Sequence, residues 1–165
     1  MSKGPEIRIV HDHDHQAALL SDLESALAAW SEERPLEEGD DTPPLQAARE
    51  IISLLKEDTF EHFEAEEHGL FPNLRSDFPE VGAELDELHS AHDDISRQLE
   101  LIERMLLDLP FDAAPERRAE AVAAVKRLGQ LSWHHTAVEW GLIRRLLERL
   151  DEGRRAEIMK QIQEI

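Results

Sequence analysis

The sequence has no cysteine and no tyrosine among its 165 residues. Without cysteine it can form no disulfide, thiolate nucleophile, zinc finger or cysteine-ligated iron–sulfur cluster. Aromatic residues make up only 5% against 41% hydrophobic residues overall. The core must therefore be built mainly on Leu, Ile and Ala. Basic residues are also scarce: 18 Lys and Arg face 37 Asp and Glu, for a formal net charge of -19. Nucleic acid and anionic membrane surfaces are poor partners for such a chain, because binding phosphate needs clustered Lys and Arg. No apolar run approaches the ~20 residues of a membrane span. Met1–Val10 has no charged start followed by a long apolar stretch, so no secretory signal is expected and the expected location is the cytoplasm. The length suits a single domain spanning residues 1–165.

Nine histidines are present, and their positions carry the functional reading. Pro and Gly punctuate the chain at Arg34–Pro44, Pro72–Gly82, Leu109–Pro115 and Asp151–Gly153. Between these breaks lie long segments of Ala, Leu, Glu and Arg, which favour helix. No stretch alternates apolar and polar residues with β-branched enrichment, so no sheet is expected. The spacing predicts helices over Asp12–Ser31, Pro44–Leu70, Pro79–Asp108 and Pro115–Leu150, with a shorter fifth over Glu152–Glu164. Thr42 is the expected cap of the second helix, and prolines suit the first turns of the second, third and fourth. Short links favour antiparallel neighbours. The expected fold is all-α: an antiparallel up-down four-helix bundle, core about 12–150, with a short additional C-terminal helix. That helix carries Ile158, Ile162 and Ile165 on one stripe, which suits packing on the bundle or a homo-oligomer contact. The acidic 37–41 segment lacks EF-hand spacing and reads as a solvated loop.

Each helical residue advances about 100° around the axis, so facing can be computed from residue number. In the third helix Leu85, Leu88, His92, Ile95, Leu99, Ile102, Leu106 and Leu109 form one unbroken stripe. In the second, Ala48, Ile51, Leu55, Thr59, His62, Glu66 and Leu70 share a face, with Glu67 rotated off it. In the fourth, Ala121, Ala124, Leu128, Leu131, His135, Glu139, Leu142 and Leu146 share one, and His134 does not belong to it. In the first, His13 and His15 flank the centre of the face set by Leu19, Leu20, Leu23, Leu27 and Trp30 about equally.

Three helices thus place an imidazole inward, and two add a carboxylate one turn later. A buried carboxylate without compensation costs several kcal/mol. Bound cations remove that cost. Without thiolate, the donor set suits zinc, iron, manganese, nickel or copper. Four imidazoles and two carboxylates exceed one closed tetrahedral zinc site. They fit two octahedral ions bridged by both carboxylates, with positions left for an exogenous ligand. Neither the ferritin-like Glu-x-x-His pattern nor His-Glu-x-x-His is present.

The segments DHQAALLSDL, HFEAEEHGLFP, LHSAHDDISRQL and HTAVEWGLI, in that order, resemble the hemerythrin-like proteins, or HHE cation-binding domains. The most specific is the second, with His62, Glu66, Glu67 and the Leu-Phe-Pro ending at Pro72. The resemblance covers Asp12 to Leu150. It implies iron ligands His15, His62, Glu66, His92, His135 and Glu139, with His13, His89, Glu67 and His134 as alternates. In the first helix it selects His15, because the family's ligand follows an acid and precedes a Leu-rich turn. It implies two non-haem iron ions, oxo- or hydroxo-bridged, with zinc or manganese as substitutes.

Three departures stand out. Ser96 stands where the family's oxygen carriers have a second histidine in the third helix. The His135 to Glu139 spacing is four where they use five, although His134 to Glu139 gives five. Arg144 and Arg145 replace a frequent Phe-Pro. The first two weigh against stoichiometric oxygen carriage. The expected function is binding of dioxygen, nitric oxide or peroxide for sensing, storage, detoxification or iron handling. The alternatives are a di-iron enzyme that consumes peroxide or repairs iron–sulfur clusters, and a structural helical module holding zinc or nothing. Ligand imidazoles must be neutral, so metal release is expected below about pH 6.

Overall fold

The computed structural model describes the backbone of residues 6–36 and 41–163, and the side chains of 13–36 and 41–160. Every regular element among them is helical. The helices are α1 (Glu6–Ser31), α2 (Pro44–Ala65), α3 (Phe71–Asp77), α4 (Gly82–Asp108), α5 (Pro115–Leu147) and α6 (Glu152–Gln163). A π-helical turn, Glu66–Leu70, joins α2 to α3, and a 3-10 turn, Pro79–Val81, precedes α4. No described helix is long and apolar enough to cross a membrane.

The four long helices close a ring. α1 packs on α2 and α5, and α4 packs on the same two. Two apolar clusters fill it. One is built on Leu23, Leu27, Ile52, Leu99, Leu106 and Leu128. The other gathers Leu70, Leu74, Leu85, Leu142 and Leu146. Each fully buried Leu contributes about 1.5–3 kcal/mol. Between the clusters lies a belt of buried polar side chains: His62, Glu66, His92, His135 and Glu139.

Local chemistry explains the element ends. Pro44 opens α2 and Pro115 opens α5, positions where a missing N–H costs nothing. Thr42 is not the α2 cap. Pro43 holds that place, with no side-chain cap, and its carbonyl accepts from Ala47 N at 3.0 Å. α1 stops where Glu33 adopts φ 53°, with Arg34 N donating to Ala29 O and Glu33 N to Trp30 O. This left-handed closure satisfies the last carbonyls of α1. Glu33 pairs with Arg118 at 2.8 Å, and Arg118 also donates to Trp30 O and Ala113 O.

The second predicted helix differs most. Its α-helical part ends at Ala65, the chain widens through the π turn, and helix resumes across Pro72 to Asp77. Pro72 has no N–H to return to the preceding turn, and its ring crowds that turn. Opening the ladder by one residue relieves this, with Phe71 N donating to Glu66 O. The Asn73 side chain satisfies the Gly69 carbonyl at 2.8 Å.

α5 ends at Leu147, three residues early, and Arg155 donates to the Leu147 carbonyl there. Leu131, expected inside, is 41% exposed. The α5 seam runs Leu128, Ser132, His135, Glu139, so Ser132 takes the place assigned to Leu131. α6 buries Ile158 and Met159 against the second cluster. The side chains of Ile162, of Ile165 and of the N-terminal stretch Met1–Val10, and most of the acidic 37–41 segment, lie outside the described residues.

Candidate metal centre

Four helices and the π turn each supply donors to the polar belt. His13 comes from α1, His62 from α2 and Glu66 from the first residue of the π turn. His92 comes from α4, and His135 and Glu139 come from α5. Their donor atoms form two overlapping groups. His13, His62, Glu66 and Glu139 offer atoms within 4.8 Å of one another, and so do Glu66, His92 and His135. Glu66 belongs to both. Its Oε1 lies 2.9 Å from His62 Nε2, and its Oε2 lies 3.3 Å from His92 Nε2. Glu139 Oε2 stands 3.4 Å from His13 Nε2 and 3.3 Å from His135 Nε2.

Each imidazole turns Nε2 inward. His13 and His62 face each other at 2.9 Å, and His92 and His135 at 3.2 Å. The His92 ring is held from three sides. Phe63 stacks on it at 3.8 Å between centroids, Phe71 lies at 5.5 Å, and its outward Nδ1 meets Glu67 Oε1 at 2.8 Å. A carboxylate on the outer nitrogen fixes tautomer and orientation, leaving Nε2 to donate its lone pair inward. The same Glu67 oxygen lies 3.2 Å from Nδ1 of the exposed His89.

Burial pushes the His62 imidazolium down to about 4 and the His92 imidazolium to about 3, and the neighbouring imidazoles push in the same direction. Both rings are neutral at pH 7, as metal ligands must be. Burial alone would raise the Glu139 carboxyl. Its contacts with His13 and His135 outweigh burial and hold it well below the usual carboxylate range. Glu139 is 0% exposed, yet neither oxygen has a hydrogen bond of normal geometry. A buried anion in that condition needs a cation. The donor set of imidazole nitrogen and carboxylate oxygen fits first-row divalent metals.

The sequence matches the family model of the hemerythrin HHE cation binding domain over residues 7–144. The chain belongs to the hemerythrin HHE cation-binding family. No curated protein and no solved structure matches it.

Within this HHE domain the structure brings together His62, Glu66, His92, His135 and Glu139 from the predicted set. It does not bring His15. That side chain is 56% exposed and pairs with Asp58 at 2.9 Å, while His13 occupies the cluster. The reason is register. Trp30, Leu27, Leu23, Leu20, Gln16 and His13 continue one 3–4–3–4–3 stripe back along α1, and His15 stands off it. Of the alternates, His89 and His134 are exposed outside the cluster. Glu67 belongs to neither donor group and contacts Nδ1 of His92.

These placements lead to three expected results. His13→Ala lowers metal affinity at least about tenfold, whereas His15→Ala leaves metal content unchanged, because an exposed pair is worth ~1 kcal/mol or less. Elemental analysis of both variants checks this, and the reverse ranking would restore His15. Glu67→Ala weakens metal binding about 10–100-fold. Glu67→Gln, which keeps an acceptor for His92, recovers much of that in a competitive chelator titration.

The third concerns pH. The folded pKa values of His62 and His92 lie below the ordinary 6.5, so the unfolded chain binds more protons once pH drops through 6.5. Stability of the metal-free protein is fully present above 6.5. It falls by about 1.4 kcal/mol per pH unit for each ring as pH drops toward 4, where His62 protonates. Urea midpoints between pH 7 and pH 4 check it. Burial keeps the rings of His62 and His92 neutral well below pH 6 in the fold, so proton competition at these two ligands sets in only toward pH 4.

Proposed function

We propose that this HHE domain holds two iron ions and binds dioxygen, nitric oxide or peroxide there. The observation that carries the reading is the placement of Glu66, whose two oxygens face the two donor groups separately. A carboxylate in that position suits a bridge between two cations. His13, His62 and Glu139 would hold one ion with Glu66, and His92 and His135 would hold the other. Iron held by these residues would supply the reducing electrons for dioxygen binding. The chain's own residues hold the rings neutral, present Nε2 inward and flank the belt with apolar clusters on either side. The four long helices are proposed to run up and down as an antiparallel bundle, which sets all donors at one level. The proposed location is the cytoplasm.

A second reading draws on the cleft between α1 and α5, which reaches His13 and His135 from solvent. An open approach suits an enzyme that turns over peroxide or another substrate better than a sealed oxygen store. Metal analysis of anaerobically purified protein, with optical spectra before and after air, tests both readings. About two irons per chain and a visible band that reverses under vacuum support reversible binding. Consumption of peroxide in excess of protein supports the enzyme. Absence of iron with retained zinc, or no metal at all, overturns both.

A further inference from the structure

The cleft between α1 and α5 has a volume of about 810 Å³. A diatomic gas needs little more than the ~30 Å³ share of a water molecule, so the cleft far exceeds what gas access requires. Its size falls in the ~300–1,000 Å³ range of pockets that bury small organic ligands.

Small side chains create it. Where α1 and α5 face each other, the lining carries Ala17 and Ser21 on one helix, Gly129 and Ser132 on the other. The inner wall is apolar, with Leu20, Leu55, Phe63, Ile95 and Leu99. At its inner end stand His13 and His135, both members of the candidate metal centre. Besides His135 Nδ1 at the inner end, one buried polar atom of the lining has no hydrogen-bond partner: the Gln16 side-chain nitrogen. It lies one turn beyond His13 on the same stripe of α1. A buried donor without an acceptor destabilises the fold, and a ligand oxygen would relieve that cost. At the mouth Asp14 and Glu24 outnumber Lys126, on a chain of net charge -19, which disfavours an anion.

We propose that this cleft binds an uncharged apolar organic molecule bearing one carbonyl or hydroxyl oxygen, seated against His13 and His135 with that oxygen accepting from Gln16. The inference rests on the metal-centre reading for what the ligand meets at the inner end. The cleft itself does not depend on metal.

The experiment titrates 1-octanol, with octanoate as the charged control, into full-length metal-free protein, read by calorimetry and by the fluorescence of Trp133, which lines the cleft. Saturable binding of octanol at micromolar concentration is expected, with octanoate at least tenfold weaker. Leu20→Trp fills the inner wall and lowers affinity tenfold or more. Gly129→Leu provides an independent block. Its Cβ would meet Glu24 Oε1 at 3.1 Å and Leu20 Cδ2 at 3.4 Å, the ends of flexible side chains that can shift. Gln16→Leu keeps the bulk, removes the donor and weakens octanol about fivefold. No saturable binding, or binding that ignores both blocking variants, overturns the proposal. Equal affinity for octanoate overturns the uncharged class. Titration of the Co(II)-loaded protein then tests the inner end. Octanol shifts the visible cobalt bands if it sits at the centre, and unchanged bands with intact binding refute that placement. Failure to load any metal, with octanol binding intact, overturns the di-iron reading and leaves the cleft assignment standing.

Discussion

Alanine at Glu66 lowers bound iron to less than about a tenth of wild type, and it does so at both ion positions together. Loss of a group acting only through a ligand costs 10–100-fold in metal affinity, and Glu66 contacts His62 on one side and His92 on the other directly. Its loss is therefore felt twice. Stability of the metal-free protein separates a metal ligand from a structural acid. Glu66 is buried, and a buried carboxylate costs several kcal/mol of desolvation. Its ring neighbours His62 and His92 are neutral at pH 7 because burial lowers both pKa values. Removing the acid strands no opposite charge. The metal-free variant should unfold at the same urea concentration as metal-free wild type or a higher one, while its iron content collapses. A variant that keeps full iron would remove Glu66 from the centre. One that loses stability by several kcal/mol without metal would make it part of a self-sufficient polar network.

Helical facing was legible wherever one apolar stripe ran unbroken. In α4 the 3–4 spacing from Leu85 to Leu106 leaves only one inward register, and His92 is buried within it. In α2 and α5 the same arithmetic put His62, Glu66, His135 and Glu139 on faces that the structure buries. It failed where polar residues interrupt a stripe. On α5 the seam passes through Ser132, and the nearby Leu131 drew the apolar pattern to the wrong column. On α1 the stripe reaches its end through Gln16, a polar residue that hid the continuity from Leu20 to His13. Reading apolar residues alone left His13 and His15 equivalent, and the resemblance then selected His15, which points to Asp58.

The π turn was not legible from periodicity, because one added residue looks like a phase error until the backbone is seen. Its signal lay in Gly69 and Pro72, two residues that weaken an α-helical ladder within two turns of Glu66. The consequence reaches the site. An added residue rotates the downstream helix by about 100°, so Glu66 can face the centre while Leu70, Phe71 and Leu74 also face inward. Phe71 then closes on the His92 ring. Widened turns of this kind recur at functional sites, and here one helix serves both the centre and the second apolar cluster.

Stripping the metal should lower the melting temperature by about 10 °C while leaving helical content nearly unchanged. A ligand present at a thousandfold its dissociation constant stabilises the folded state by about 4 kcal/mol. For a chain of this size each kcal/mol moves the midpoint by roughly 2–4 °C. Helicity persists because the two apolar clusters lie on either side of the polar belt and bury their own side chains. The loss should shrink on strong acidification, as protons compete with metal for the rings. Below pH 6.5 the unfolded chain takes up protons whether or not the folded chain holds metal, so both melting temperatures fall together, and the difference narrows only where His62 protonates in the metal-free fold, at about 4. Calorimetry of loaded and chelator-treated protein at pH 7 and pH 4 tests the coupling. A gap that narrows at pH 4 means the imidazoles share one occupant. A melting temperature that ignores chelator at both values means the belt sustains itself, and the domain is then a helical scaffold whose carboxylates are stabilised by imidazoles alone.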